Sequence, residues 1–377
     1  VVPTVTILVD RSGSMKLDFD GVSRWDALKN VLIGSSAADG GLVKKFEGKA
    51  RLGMATFTAY SNEAPYTNPN YDPSDPQSVA VFPPNTTIPQ ETTGPFAGQV
   101  RCPRLDVDVV PALDSAAAIE AAYRNLDFGR AEYDGFGAET PTGEAVLAIT
   151  ERLAAVTEEG PKAIILATDG GPDTCELANN RDIDGLDLDG NGDFVDAWEK
   201  GHALGPVKSR NAVHEAFQEH GIKTFVISVG DDIDDEHLQD IANLGVGKPA
   251  DLRGSMNKKC FELDGASDGA ARCWEAKGAG AAEGLRDAIS GIIQRERTCV
   301  IDLNGKLASA EALCDGVVKL AGETVPCTAQ NGYKLVDLDT IELTGSACEA
   351  YKASDNPNID ANWPCEQIES YGTGRFR

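Results

Sequence analysis

The chain has 377 residues, 41% hydrophobic and 25% charged, the proportions of an ordinary globular protein long enough for more than one domain. Lys and Arg number 34 against 60 Asp and Glu, a formal charge of −26. That balance argues against nucleic acid and anionic membrane surfaces as direct partners, and it favours solubility and divalent cations.

In chain order, short apolar runs bounded by turn residues predict parallel strands at 4–9, 50–57, 163–168 and 223–229, with a weaker one at 259–263. Helices are predicted at 24–37, 114–126, 143–156, 207–220, 235–244 and 281–296. In the third, Val146, Ile149, Leu153 and Val156 recur at helical spacing. This alternation implies an α/β fold, a doubly wound and mostly parallel sheet with helices on both faces. Two inserts interrupt it, at about 60–112 and 173–205. The first is rich in Pro, Asn and Thr but carries Phe82, Phe96, Val107, Val109 and Val110, which give it something to bury. Its Asn85-Thr86-Thr87 fits a glycosylation acceptor, a pattern too short to carry weight alone.

From Cys299 the composition changes. Short runs at 299–303, 317–320, 333–336 and 340–343 predict antiparallel strands separated by turns. The expected division is therefore 1–298 for the α/β domain and 299–377 for a small cysteine-rich β module in which cystines replace a large core. Seven of the nine cysteines lie after residue 259, and none forms a CxxC pair. Disulfides and an oxidising compartment follow from that pattern, rather than a zinc site. Proximity alone pairs Cys260 with Cys273, Cys314 with Cys327 and Cys348 with Cys365. Nine is odd, so one thiol is free or pairs with a partner outside the chain. No apolar stretch is long enough to span a bilayer. No signal segment is visible either, and the start at Val1-Val2-Pro3, almost on the first strand, suggests a processed or trimmed N-terminus.

Three segments carry the chemistry. Asp10-Arg11-Ser12-Gly13-Ser14 follows the first strand, Thr140-Pro141-Thr142-Gly143 opens a helix, and Thr168-Asp169-Gly170-Gly171 closes the strand at 163–168. Ligands collect at the carboxyl ends of strands in open α/β sheets. Carboxylates and hydroxyls together suit a hard divalent cation: Mg²⁺, Mn²⁺ or Ca²⁺. A helix cap would account for Asp10 and the serines but not for Thr140 and Asp169.

Over roughly residues 1–297 the chain resembles von Willebrand factor A domains, also called integrin I domains. Their metal-ion-dependent adhesion site reads DxSxS…T…D, and Asp10, Ser12, Ser14, Thr140 and Asp169 fill its five positions. The resemblance implies a metal-dependent adhesion or protein-binding module. An acidic group of a protein or glycan partner completes the ion's coordination there. It also implies a secreted or outer-surface location. The tail resembles, more loosely, the segment after the A domain in some secreted bacterial proteins.

A second cation motif lies in the 173–205 insert. From Asp187 the run Asp187-Leu188-Asp189-Gly190-Asn191-Gly192-Asp193 resembles an EF-hand-type calcium loop. Asp187, Asp189 and Asn191, with Asp193, Asp196 and Glu199, are its candidate Ca²⁺ ligands. One residue is inserted before Phe194, which puts Glu199 at position 13 instead of 12.

Other functions remain in view. The same face would serve a structural subunit of an extracellular fibre or envelope assembly. A metal-dependent hydrolase finds less support, since the four histidines form no HExxH. The expectation is a binding protein and not an enzyme.

Overall fold

The computed structural model describes residues 2–36, 39–59, 102–126, 140–175, 197–230, 235–250, 270–276, 280–303, 305–354 and 358–369. The chain divides into two compact units. One comprises Thr4–Thr157 and Lys162–Ile289; the other comprises Val1–Pro3, Glu158–Pro161 and Ser290–Arg377.

The larger unit begins with β1 (Thr4–Asp10), followed by a minimal hairpin of β2 (Asp18–Phe19) and β3 (Val22–Ser23). Then come α1 (Arg24–Ile33), α2 (Gly41–Lys45), β4 (Arg51–Thr58), β5 (Arg104–Ala112), α3 (Ala116–Arg124) and α4 (Thr142–Ala154). It continues with β6 (Lys162–Thr168), α5 (Ala197–His220), β7 (Lys223–Val229), α6 (Asp235–Leu244), β8 (Trp274–Ala276) and α7 (Ala281–Arg295). The last helix runs past the division at residue 290.

The result is mixed α/β with a mostly parallel central sheet. Six strands lie in the order β5-β4-β1-β6-β7-β8, and only β5 is antiparallel to its neighbour. β1 is central, with Ile7 opposite Met54 on one side and Ile165 on the other. Leu8, Phe57, Leu166 and Val226 form one core cluster with Val146, Ile149 and Leu153 of α4 and Val213 and Ala216 of α5. Val5, Ile7 and Val9, which alternate with Leu8, are buried as well. A strand covered on both faces favours apolar residues on both, which is why these strands read as mostly apolar runs with threonines among them.

The strands at 4–9, 50–57, 163–168 and 223–229 appear where the sequence puts them. The weak candidate at 259–263 lies outside the described residues. The strand next to β7 is the three-residue β8, too short to leave a period in the sequence. Helix α5 starts at Ala197, ten residues before the expected 207, and passes through Pro206. Helix α1 stops at Ile33, where Gly34 takes φ +75°, instead of running to 37.

The smaller unit holds β9 (Val300–Asp302), β10 (Lys306–Leu307), β11 (Val317–Leu320), β12 (Glu323–Val325), β13 (Tyr333–Asp337), β14 (Thr340–Leu343), α8 (Ser346–Ala353), β15 (Ile359–Asn362) and β16 (Ile368–Glu369). Its sheets are small and antiparallel: β12-β11-β15, β13-β14-β9 and β10-β16. Val318, Leu320, Val325, Tyr333, Ile341 and Leu343 pack around Cys299.

Cys314 bonds Cys327, as proximity suggested. The pairing of Cys348 with Cys365 does not form. Helix α8 packs Cys348 against the module core, where it bonds Cys299, and Cys365 is left free and exposed in a short turn. Nearness in sequence misled here, because a helix face and not a loop presents the thiol. In the larger unit Cys102 bonds Cys175, a link across 73 positions that no local spacing announces. Cys273 is disulfide-bonded too, and its expected partner Cys260 lies outside the described residues. Among the described residues no helix is long and apolar enough to cross a membrane.

Candidate metal centre

The carboxyl end of β1 sets the first donor. Asp10 closes the strand fully buried, and its side chain folds back over the turn that follows. Its Oδ1 accepts from the Ser12 backbone N–H at 2.7 Å, and its Oδ2 accepts from the Thr168 hydroxyl at 2.6 Å. The two strand ends, β1 and β6, are thereby tied together side chain to side chain.

The turn then enters a short 3₁₀ segment, Gly13–Lys16, which brings Ser14 beside Ser12. Their hydroxyls share a hydrogen bond of 2.9 Å. Ser14 donates onward to Asp169 Oδ1 at 2.7 Å, across 155 positions of sequence. Asp169 is fully buried. Thr140 joins from a third segment, because its hydroxyl and that of Ser14 flank Gly170. A Cβ placed on that glycine would lie 3.5 Å from Ser14 Oγ and 3.9 Å from Thr140 Oγ1.

Thr140 is held by a reciprocal clasp with Asp173, one bond from its backbone and one to its side chain. The Asp173 N–H donates to the Thr140 carbonyl at 2.8 Å, and the Thr140 N–H donates to Asp173 Oδ2 at 3.3 Å. The segment after Asp169 can lie this close to α5 only because residue 205 lacks a side chain: a Cβ on Gly205 would sit 1.6 Å from the Pro172 carbonyl oxygen. The Cys102–Cys175 disulfide ties the start of β5 to the same edge, since Arg104 pairs with the end of β4.

Four of the five sequence-predicted residues, Asp10, Ser12, Ser14 and Asp169, are therefore linked by hydrogen bonds, and the Thr140 hydroxyl lies near them, beside Gly170. Burial is the main influence that pushes the Asp10 carboxyl up to about 7, and repulsion from Asp169 adds to it, while hydrogen bonds from Thr168 and Ser12 pull it down. Two carboxylates and three hydroxyls, oxygen throughout, make a donor set that fits a hard divalent cation. Such an ion would supply the charge that two buried, adjacent carboxylates need. Among the described residues no group of three or more His, Cys, Asp and Glu gathers in metal-holding geometry, so the fit rests on the hydroxyls as much as on the acids.

The second candidate set is different. Asp187, Asp189, Asn191, Asp193 and Asp196 lie outside the described residues. Glu199 falls on α5, but its side chain is also outside them.

Sequence reasoning missed Arg24. Its guanidinium, almost wholly buried, donates from Nη1 to Asp169 Oδ2 at 2.9 Å. It lies flat against Gly230, where the backbone turns at φ +121° and a Cβ would sit 2.6 Å from Arg24 Cζ. One signal was available: Arg24 is the first residue of α1, where a cation opposes the helix dipole and so calls for some other reason to be there.

No protein-family model matches the chain, and no curated protein matches it in sequence. Several solved structures are similar in shape at low identity. The pilus adhesin SpaC from Lactobacillus rhamnosus GG is 15% identical, with 92% of this chain matched to 38% of that one at a TM-score of 0.43. The PilB minor pilin from Streptococcus sanguinis is 14% identical, with 78% matched to 61% at 0.41. Proximal thread matrix protein 1 from the mussel byssus, a structure with a zinc-occupied MIDAS motif, is 11% identical, with 81% matched to 51% at 0.36. The chain thus spans less than two thirds of the length of each.

Proposed function

We propose that this chain is a binding module of the von Willebrand A type, with a doubly wound sheet, acting outside the cell or on its outer surface. Asp10, Ser12, Ser14, Thr140 and Asp169 hold one divalent cation, and an acidic group of a protein or glycan partner completes its coordination. The supporting observation is the 2.7 Å bond from Ser14 to Asp169, which closes the cluster between strand ends 155 positions apart. Few negative charges surround the ion, and one of the two, Asp169, already faces a guanidinium. An ion so sparsely neutralised keeps its attraction for a carboxylate from outside.

The test has two arms. Titration calorimetry with Mn²⁺ or Mg²⁺ alone should show one site, and Asp10→Ala and Asp169→Ala should each remove it while the circular dichroism spectrum stays close to that of the parent. A peptide array should then show binding that needs Asp or Glu in the peptide and that chelator abolishes. Cation binding unchanged in both variants would sink the reading.

The same reading assigns a structural Ca²⁺ to the acidic run at 187–199, on the strength of alternate oxygen side chains around Gly190 and Gly192. A hundredfold excess of Ca²⁺ over its dissociation constant should add about 2.7 kcal/mol of stability. Calorimetric melting of the parent and of Asp187→Ala/Asp189→Ala measures it; equal responses to Ca²⁺ would remove this second ion.

A further inference from the structure

We propose that Arg24 is a built-in counter-cation of the metal centre. As a positioning residue, it holds Asp169 by one oxygen and lowers the site's affinity for its ion while raising the ion's attraction for an anionic partner. This rests on the cation-binding reading above and deepens it.

The geometry carries the idea. The two oxygens of Asp169 face different groups: Oδ1 takes the Ser14 hydroxyl, which belongs to the cluster, and Oδ2 takes Arg24. Both partners of the ion pair are buried, with side-chain exposures of 5% and 0%. A buried guanidinium is costly to desolvate, so its placement needs a charge to answer, and Asp169 provides it. Three separate elements cooperate in the placement. The Ser23 side chain caps α1 by accepting from the Asp26 N–H, the Arg24 N–H donates to the Leu17 carbonyl at 3.0 Å, and Gly230 leaves the space that the guanidinium fills.

Electrostatics then fixes the sign. A divalent ion entering beside Asp169 meets a positive charge one carboxylate away, and like charges at such distances repel appreciably even at the effective dielectric of a protein. Neutralising Arg24 should tighten cation binding. It should also weaken the pull of the bound ion on an external carboxylate, because the net positive charge of the occupied site falls. A residue that merely holds α1 in place makes a different prediction: its loss would loosen both.

The experiment compares the parent with Arg24→Gln and Arg24→Lys. Mn²⁺ affinity is read by calorimetry, and affinity of the Mn²⁺-loaded protein for an acidic peptide is read by fluorescence polarisation. Arg24→Gln should bind Mn²⁺ about tenfold more tightly and the peptide more weakly. Arg24→Lys keeps the charge and should stay close to the parent in both. Should Arg24→Gln not fold without metal, refolding in millimolar Mn²⁺ should restore it, since ion and guanidinium then serve as alternative counter-charges. Mn²⁺ affinity that is unchanged or weakened in Arg24→Gln, or a failure of Mn²⁺ to rescue folding, overturns the proposal. A parent that binds no Mn²⁺ at all instead removes the reading on which it rests.

Discussion

In the larger unit Val5, Ile7, Leu8 and Val9 of β1 are all shielded from solvent. In the smaller unit β11 alternates: Val318 and Leu320 are buried, Val317 and Lys319 are exposed. The first strand is clamped between two layers and the second covers only one. A sheet with one buried face gains about half as much apolar burial per strand, so the module needs help that the larger unit does not. The Cys299–Cys348 and Cys314–Cys327 links supply it. The difference extends to chemistry. The layered unit can keep two carboxylates dry at a strand edge, whereas the module's carboxylates, such as Glu342, sit in reach of water.

The largest expected effect comes from opening the module's longer link. Cys299→Ser/Cys348→Ser frees a loop with a sequence separation of 49, worth about 4 kcal/mol in the loop-entropy account. Denaturant unfolding followed by tryptophan fluorescence, with Trp363 in the module and Trp25 and Trp274 in the larger unit, should show the module's transition collapse while the larger unit's transition stays in place. Coincident loss of both transitions would erase the distinction drawn above.

A smaller effect sharpens the electrostatic half of the comparison. Asp10 has a folded-state pKa of about 7 against an ordinary 3.8. Between those values the folded state binds more protons than the unfolded one, so the metal-free chain loses stability as pH rises from about 4 to 7. The loss should be on the order of 2 kcal/mol, less than the full shift implies, because water and relaxation soften buried sites. Urea midpoints across that pH range measure it, and Asp10→Asn should flatten the slope. A parent whose midpoint rises over this window would contradict the assignment.

The smallest effect concerns Cys365. It is exposed and bonded to nothing in the chain, so Cys365→Ser should change stability by less than about 0.5 kcal/mol. Non-reducing electrophoresis of the same variant reports whether the thiol links two chains, and a stability loss matching that of the cystine variants would mean the exposed thiol has a structural role.

Much of this was legible in the sequence because the relevant signals are local. Four parallel strands declare themselves as apolar runs, and the oxygen donors sit directly at the ends of two of them. Thr140 is identified only because its segment stands in order between the other two. What stayed hidden depends on distance or brevity. Arg24 shows only an unfavourable place at a helix start until Asp169, 145 positions away, is beside it. β8 and α2 are too short to show a period. The Cys102–Cys175 and Cys299–Cys348 links join residues that only the folded chain brings together.

The central position of β1 has a mechanical consequence. The strand is paired in parallel on both sides, from Thr4 to Asp10 against β4 and from Thr4 to Val9 against β6. A load applied at Asp10 along the strand axis falls on both ladders as shear, with every rung sharing it at once. Rungs that must break together resist far more force than rungs that peel one at a time. A tether attached at this edge would therefore load two ladders in shear at once.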